Sequence, residues 1–442
     1  MANHTPSPAA PRTPGIHLPG TFRALRHRNY RLFFFGQMVS LIGTWMQMIA
    51  QQWLVYRLTG SATMLGVVSL IGLLPSIPMS LWGGSLADRY PKRNILIVVQ
   101  ATMMIQAFIL SALTGTGLVQ VWHVLVLAAV LASANAIDMP VRQSFVVEMV
   151  EGREDLTNAI GLNSTIFNAA RAIGPALAGV MVAATGEAGA FFLNGVSFIA
   201  VLAGLFLMRI PARPQRRTRA SFGPHILEAA RFVADRRPVL VLISLVAASA
   251  FLSMPYSTLL PVFAKTILKS SAEPMLAAVC TGSRALLDCR SPDALTYGLL
   301  MAAVGAGAVV GALTVASLPA QARRGPLLTA GNLLFPALLV SMALSRSFAL
   351  TSALLLGVGF SFVFQQTLGN TLMQITTPDE MRGRVMSFYT MTTQIAMRLG
   401  GMQAGSMADL FGAATAVGVG AAVCLGYGMF VAWRYPQVRN LA

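Results

Sequence analysis

The chain has 442 residues, of which 55% are hydrophobic and only 11% charged, and its mean hydropathy is +0.66. Soluble domains carry about 25% charged residues, so this composition excludes a water-soluble protein and implies a chain embedded in a bilayer. The net charge of +17 would suit nucleic acid, but the basic residues sit in short segments between apolar runs. They form no stripe with interleaved aromatics, so they read as topology-setting charges and nucleic acid is not an expected partner.

Residues 1–31 are rich in proline and arginine and lack the apolar core of a cleavable leader. A helix needs about 20 apolar residues to cross the hydrocarbon. Twelve runs qualify: 32–56, 61–87, 95–116, 121–148, 157–185, 188–209, 238–267, 295–318, 326–344, 349–375, 385–411 and 413–434. The polar stretch 210–237 divides them six and six. The expected organisation is an N-terminal tail (1–31), a first bundle (32–209), a linker (210–237), a second bundle (238–434) and a tail (435–442). Within the linker, 224–235 has the pattern of an amphipathic helix on a membrane surface, with a solvated tether as the other reading.

With the N-terminus inside, 23 of the 32 Lys and Arg residues fall on the inner side, six on the outer side and three within spans. That asymmetry places both termini in the cytoplasm. ARAIGPALAG (170–179) also aligns with MRLGGMQAGS (397–406) at an offset of 227, matching Arg171 to Arg398 and Gly174 to Gly401. An all-α membrane protein of twelve transmembrane helices in two pseudo-symmetric six-helix bundles follows, and a site between such halves is transporter architecture.

Catalytic chemistry finds no support. His4, His17, His27, His123 and His225 lie in tails, loops or at a span end, and no nucleophile elbow or GxxxxGK[ST] phosphate loop is present. No enzyme activity, metal or cofactor is expected. Cys280 and Cys289 share the outward loop 268–294, where an oxidising compartment would join them, two free thiols being the alternative. Cys424 reads as a small core residue.

The second span ends in WGGSLADRYPKR (82–93). It resembles the G-x-L-A-D-R-x-x-x-R loop signature of the major facilitator superfamily, with Gly84, Leu86, Ala87, Asp88, Arg89 and Arg93 in place and Pro91 where glycine is usual. The resemblance implies a latch at Gly84, Asp88, Arg89 and Arg93 that joins the two halves in the outward-facing state. The counterpart LPAQARRGPLL (318–328) keeps two arginines but no acid. FRALRHRNYRLFFFGQMVSLIGTWMQMIAQQWLVYRLTGSATMLG (22–66), YSTLLPVFAK (256–265) and TPDEMRGRVMSFY (377–389) resemble the drug-efflux branch that includes macrolide and enterobactin exporters. This likeness runs from about 22 to 412. It implies a monomeric exporter of drugs or siderophores in the bacterial cytoplasmic membrane, driven by protons. AARAIGPALAG (169–179) is similar to the superfamily's antiporter motif G-P-x-x-G-G: Gly174, Pro175 and Gly179 match, while Ala170 and Ala178 replace glycines. Close packing of spans is the competing account of these residues.

Polar side chains recur within three spans. Gln37, Gln47, Gln51 and Gln52 lie on the first, Asn163 and Asn168 on the fifth, and Gln365, Gln366, Asn370 and Gln374 on the tenth. They either bond neighbouring helices or line a wet cavity. Gln47, Gln51, Asn168, Gln366 and Asn370, with Tyr256, are the cavity-lining candidates. Four charges, Asp138, Arg142, Arg171 and Arg398, fall near mid-span and should face protein or water. Burial opposes ionisation of Asp138 and Arg142 favours it, so Asp138 is either a proton-titrating group or part of a structural lock. In the second case the arginines attract an anionic or hydroxyl-rich substrate. Import of a metabolite anion, and a transport-inactive sensor or assembly partner, remain as alternative functions.

Overall fold

The computed structural model describes residues 20–87, 89–150, 152–209, 222–280, 289–319 and 322–438. The first half comprises α1 (Arg28–Thr59), α2 (Ala62–Ile71), α3 (Leu73–Ala87), α4 (Lys92–Gly115), α5 (Val121–Met149) and α6 (Arg153–Leu207). Helix α7 (Phe222–Asp235) lies in the linker. The second half comprises α8 (Arg237–Ala248), α9 (Tyr256–Val262), α10 (Lys269–Cys280), α11 (Pro292–Ala316), α12 (Arg324–Leu344), α13 (Phe348–Thr376), α14 (Asp379–Phe411) and α15 (Ala413–Arg434).

Two of these helices need a geometric reading. α6 spans 55 residues, but Gly186 breaks it with φ +77°, a conformation that L side chains rarely adopt. The chain doubles back there. Asn29 Nδ2 donates to the carbonyl of Arg209 at 2.9 Å and Tyr30 Oη to that of Ala159 at 2.8 Å, so both ends of α6 meet the start of α1. The bend meets its far end, where Arg57 Nε pairs with Glu187 Oε1 at 2.6 Å. α6 is therefore two antiparallel limbs. The expected run 238–267 is likewise not one regular helix: wide π-type turns at 249–253 and 263–267 interrupt it around Pro255 and Pro261.

Among the described residues, ten helices are long and apolar enough to cross a membrane. The two limbs of α6 count once among them, and α14, at the expected run 385–411, is not one of the ten. α7 docks through Ala229 and Val233, both buried, and Arg384 of α14 pairs with Glu228.

Glycines set the closest contacts between the halves. A Cβ on Gly179 of α6 would lie 2.6 Å from Gly298 Cα of α11, and one on Gly305 would lie 2.6 Å from Ala172 Cα. α14 meets α2 in the same way, Gly405 against Ala62 and Gly66 against Gly401. The sequence repeat maps the first pairing onto the second. These joins run from mid-length toward one face, the face of Gly60, Gly186 and Gly412, and there a single hydrophobic cluster draws on both halves. Toward the other face each half has its own cluster: Phe33, Phe145, Phe198 and neighbours in the first, Leu242, Leu368, Tyr389 and neighbours in the second. The halves thus share a core at one face and enclose a cleft toward the other.

Candidate functional site

The buried charge of the first half is built by two helices. Asp138 of α5 is only 2% exposed. Its Oδ1 accepts from Gln100 Nε2 of α4 at 2.8 Å, and its Oδ2 meets Arg142 Nε, one turn along α5, at 3.1 Å. At about 1.5 Å per residue, Asp138 lies about 16 Å from the end of α5 at Met149, near the middle of a hydrocarbon core about 30 Å thick. Pro140 sits between the two charges, where it cannot donate a backbone hydrogen bond to the preceding turn.

Arg171 and Arg398 have different surroundings. Arg171, on the first limb of α6, stands over the ring of Phe362 of α13, 5.7 Å from its centroid. Arg398, on α14, reaches across the halves and donates from Nη1 to the Ser69 carbonyl of α2 at 2.7 Å. Among the described residues neither forms an ion pair. A charge at mid-span costs about 2.5–3.5 kcal/mol on insertion scales, which these protein contacts and their partial exposure offset. Aromatic side chains pack beside and behind them. Phe362 packs on Phe335 at 5.7 Å, buried Tyr256 on Phe335 at 6.2 Å, and Trp45 on Phe167 at 5.9 Å.

The other expected residues separate by place. Asp88 lies outside the described residues, and Gly84 falls in α3. Arg89 is exposed in the turn after α3, its backbone N–H donating to the Leu86 carbonyl at 3.0 Å. Arg93 donates to the carbonyls of Leu205 at 2.6 Å and Phe206 at 3.0 Å. It closes the end of α6 in its own half and does not reach the second half. Gly174 packs on α1, where a Cβ would lie 2.5 Å from Trp45 Cβ, and Pro175 follows it in the first limb of α6. Together with Gly179 they form the strip on which α1 and α11 approach α6.

The glutamines and asparagines mostly bond within a half. Gln47 is fully buried, donating to Gln106 Oε1 at 2.9 Å and accepting from Asn194 Nδ2 at 2.6 Å. It joins α1, α4 and the second limb of α6 rather than facing the cleft. Gln51 is buried on the same helix. Its neighbour Gln52 instead bridges the halves, its Oε1 accepting from Tyr297 Oη at 2.7 Å. Asn168 donates to the Ser164 carbonyl of its own helix at 2.9 Å, and Asn370 accepts from Gln374 at 2.5 Å. Gln366 is partly exposed. Cys280 and Cys289 are disulfide-bonded, with Cα atoms 5.3 Å apart. Just beyond them the backbone N–H of Arg290 donates to the Ala183 carbonyl of the first half at 2.6 Å.

Sequence reasoning missed Gln100, Ser69 and Phe362 as partners of the buried charges. It also missed Asp409 of α14, which accepts from Ser61 Oγ at 2.6 Å and from the amides of Ala62 at 2.7 Å and Thr63 at 2.9 Å. Asp409 and Ser61 lie at span ends, where polar residues carry no signal beyond topology.

Two pseudo-symmetric helical halves that share a core at one face and hold charges at mid-length define a membrane transporter of the major facilitator fold. The model of the transmembrane secretion effector family, a branch of that superfamily, matches residues 19–287 and 284–441. The chain belongs to this family. Among curated relatives it is 23% identical to the staphyloferrin A transporter of Staphylococcus aureus, over 86% of this chain and 90% of that one. It is 26% identical to the multidrug efflux pump Tap of Mycobacterium tuberculosis (93% and 94%) and 25% identical to the enterobactin exporter EntS of Salmonella choleraesuis (82% of each). Two solved structures share the fold. One is a bacterial homolog of the human lysosomal transporter Spinster, inward-facing and occupied, with TM-score 0.65, 14% identity and coverage of 94% and 97%. The other is a POT family transporter with 5-aminolevulinic acid, with TM-score 0.69, 13% identity and coverage of 93% and 96%.

Proposed function

We propose that the protein is a secondary active exporter that carries amphipathic small molecules of the drug or siderophore type out of the bacterial cytoplasm in exchange for protons. The observation that carries this reading is the Asp138 carboxylate, buried at mid-depth and held by Arg142 and Gln100. A proton on Asp138 cancels the charge that holds Arg142, and the freed guanidinium then seeks a new partner. One proton thereby changes the electrostatics beside the cleft. The relatives Tap, a multidrug efflux pump, and EntS, an enterobactin exporter, support the direction.

The shared core at one face and the cleft toward the other support alternating access, with this state open to the cytoplasm. In the reverse state Gly84, Asp88, Arg89 and Arg93 would latch the halves. The basic residues cluster at the cleft face, and the Cys280–Cys289 disulfide lies at the opposite one, which suits an oxidising exterior. We read the chain as a monomer of twelve spans, α14 included, with both termini cytoplasmic.

The test is transport of ethidium in proteoliposomes under an imposed pH gradient. The wild type should drive ethidium against its gradient, and Asp138→Asn should lose the dependence on the proton gradient. An Asp138→Asn protein with unchanged proton dependence would sink the coupling role. Import of an organic anion is a second reading, favoured by the unpaired Arg171 and Arg398, and reversed gradients separate the two directions.

A further inference from the structure

The chain has 15 acidic residues, and almost all of them lie in loops or within a turn or two of helix ends. Lys92 takes Glu148, Arg57 takes Glu187, and Arg23 and Arg26 take Asp155. Among the described residues the one carboxylate at mid-span depth is Asp138, and Gln100 and Arg142 already occupy both its oxygens. Arg171 and Arg398 therefore have no protein counter-charge at their own depth. They sit at equivalent positions of the repeat, one on each half, beside the glycine joins between the halves, and each is partly exposed. Their polar contacts are meagre for guanidinium groups with five donors each: a ring face for Arg171 and one backbone carbonyl for Arg398. Charges within a membrane span normally face a partner or water, and the planar fork of arginine fits the two oxygens of a carboxylate. Phe362, the ring under Arg171, is partly exposed and is backed by the buried Phe335 and Tyr256.

We infer that the cleft selects amphipathic organic anions carrying at least two acidic oxygen groups, one received by Arg171 on the first half and one by Arg398 on the second. The anion supplies the missing counter-charge, and its apolar body lies against the ring of Phe362. Because each half contributes one guanidinium, a ligand with two acidic groups ties the halves together, whereas one with a single group engages only one of them. Arg398 would exchange the Ser69 carbonyl for the ligand. This inference rests on the exporter reading and adds to its cargo a class held by charge, alongside cations such as ethidium that use apolar surface alone.

The test uses the full chain in detergent, with carboxyfluorescein as a polyanionic aromatic probe and ethidium as the cationic control, both followed by fluorescence anisotropy. Carboxyfluorescein should bind the wild type, and Arg171→Gln and Arg398→Gln should each weaken it at least tenfold. Arg171→Lys and Arg398→Lys, which keep charge but lose the fork, should fall between. Thermal denaturation and size-exclusion chromatography should show that the glutamine variants remain folded, and ethidium should not share the tenfold loss. Absence of carboxyfluorescein binding to the wild type, or equal binding to wild type and both glutamine variants, overturns the inference. Proton-driven ethidium export in the same preparation keeps the exporter reading even then, so the two fail separately.

Discussion

Asp409 and Ser61 are 348 positions apart, yet the carboxylate of one accepts the hydroxyl of the other at 2.6 Å. The same carboxylate takes the backbone amides of Ala62 and Thr63, so an acid from the end of α14 caps the start of α2 in the opposite half. Anions at a helix N-terminus satisfy free amides and oppose the positive end of the dipole. This contact exists only while the halves are closed at that face. For such an exposed site its worth is about 1 kcal/mol, or about fivefold in an equilibrium. Asp409→Asn should shift the protein toward the state open at that face by that factor. Spin labels at Thr59 and Phe411 would report the shift as a larger long-distance population, and an unchanged distance distribution would remove the capping role.

The close approach at Gly298 makes a sharper demand. A Cβ there would lie 2.2 Å from Gly179 Cα, a backbone atom that cannot rotate away. Gly298→Val should force α6 and α11 apart, reduce ethidium transport at least tenfold and lower the melting temperature by several degrees. Transport at the wild-type rate would mean that the helices part more easily than their packing implies.

Gln47 is expected to matter for stability rather than transport. Gln47→Leu leaves Asn194 and Gln106 without their shared partner in a buried place, at a cost of about 1–3 kcal/mol. Thermal denaturation followed by size-exclusion chromatography should show a lower midpoint, with transport per folded molecule retained. A large loss of transport at unchanged stability would instead put Gln47 in the substrate path.

The disulfide closes a short loop between Cys280 and Cys289, separated by nine positions. Loop-closure entropy for such a length is about 2–3 kcal/mol. Replacing both cysteines with serine should therefore increase amide hydrogen exchange at Arg290 and Ser291, whose N–H groups bond the Ala183 carbonyl. Exchange elsewhere in the second half should hardly change.

Much of the fold is legible in the sequence because apolar length and basic loops are strong physical signals. The turns at Gly60 and Gly412 are examples. The reversal at Gly186 was also foreseeable as a tight turn between two apolar runs, although helix extends to either side of it. The site was only partly legible. The Asp138–Arg142 pair lies four residues apart on one helix, so spacing reveals it, whereas Gln100 comes from another helix and no periodicity points to it. Gln47 shows the converse difficulty, since a polar residue within a span looks the same whether it bonds a neighbouring helix or faces a cavity. Arg93 resembles a latch residue by motif, and its contact with the end of α6 in this state is one that no motif announces.

The arrangement of hydrophobic clusters also bears on how the chain is made. Every member of the cleft-face cluster of the first half precedes residue 209, so that cluster can assemble before the second half leaves the ribosome. The shared cluster cannot, because it needs Trp53, Ala178 and Phe191 from the first half together with Leu259, Tyr297 and Ala404 from the second. During synthesis the first half must therefore wait with one end of its inner surface uncovered. Two polypeptides divided within the linker would carry complementary surfaces at that end, and their reassociation would be guided by the same glycine-lined strips that close the intact protein.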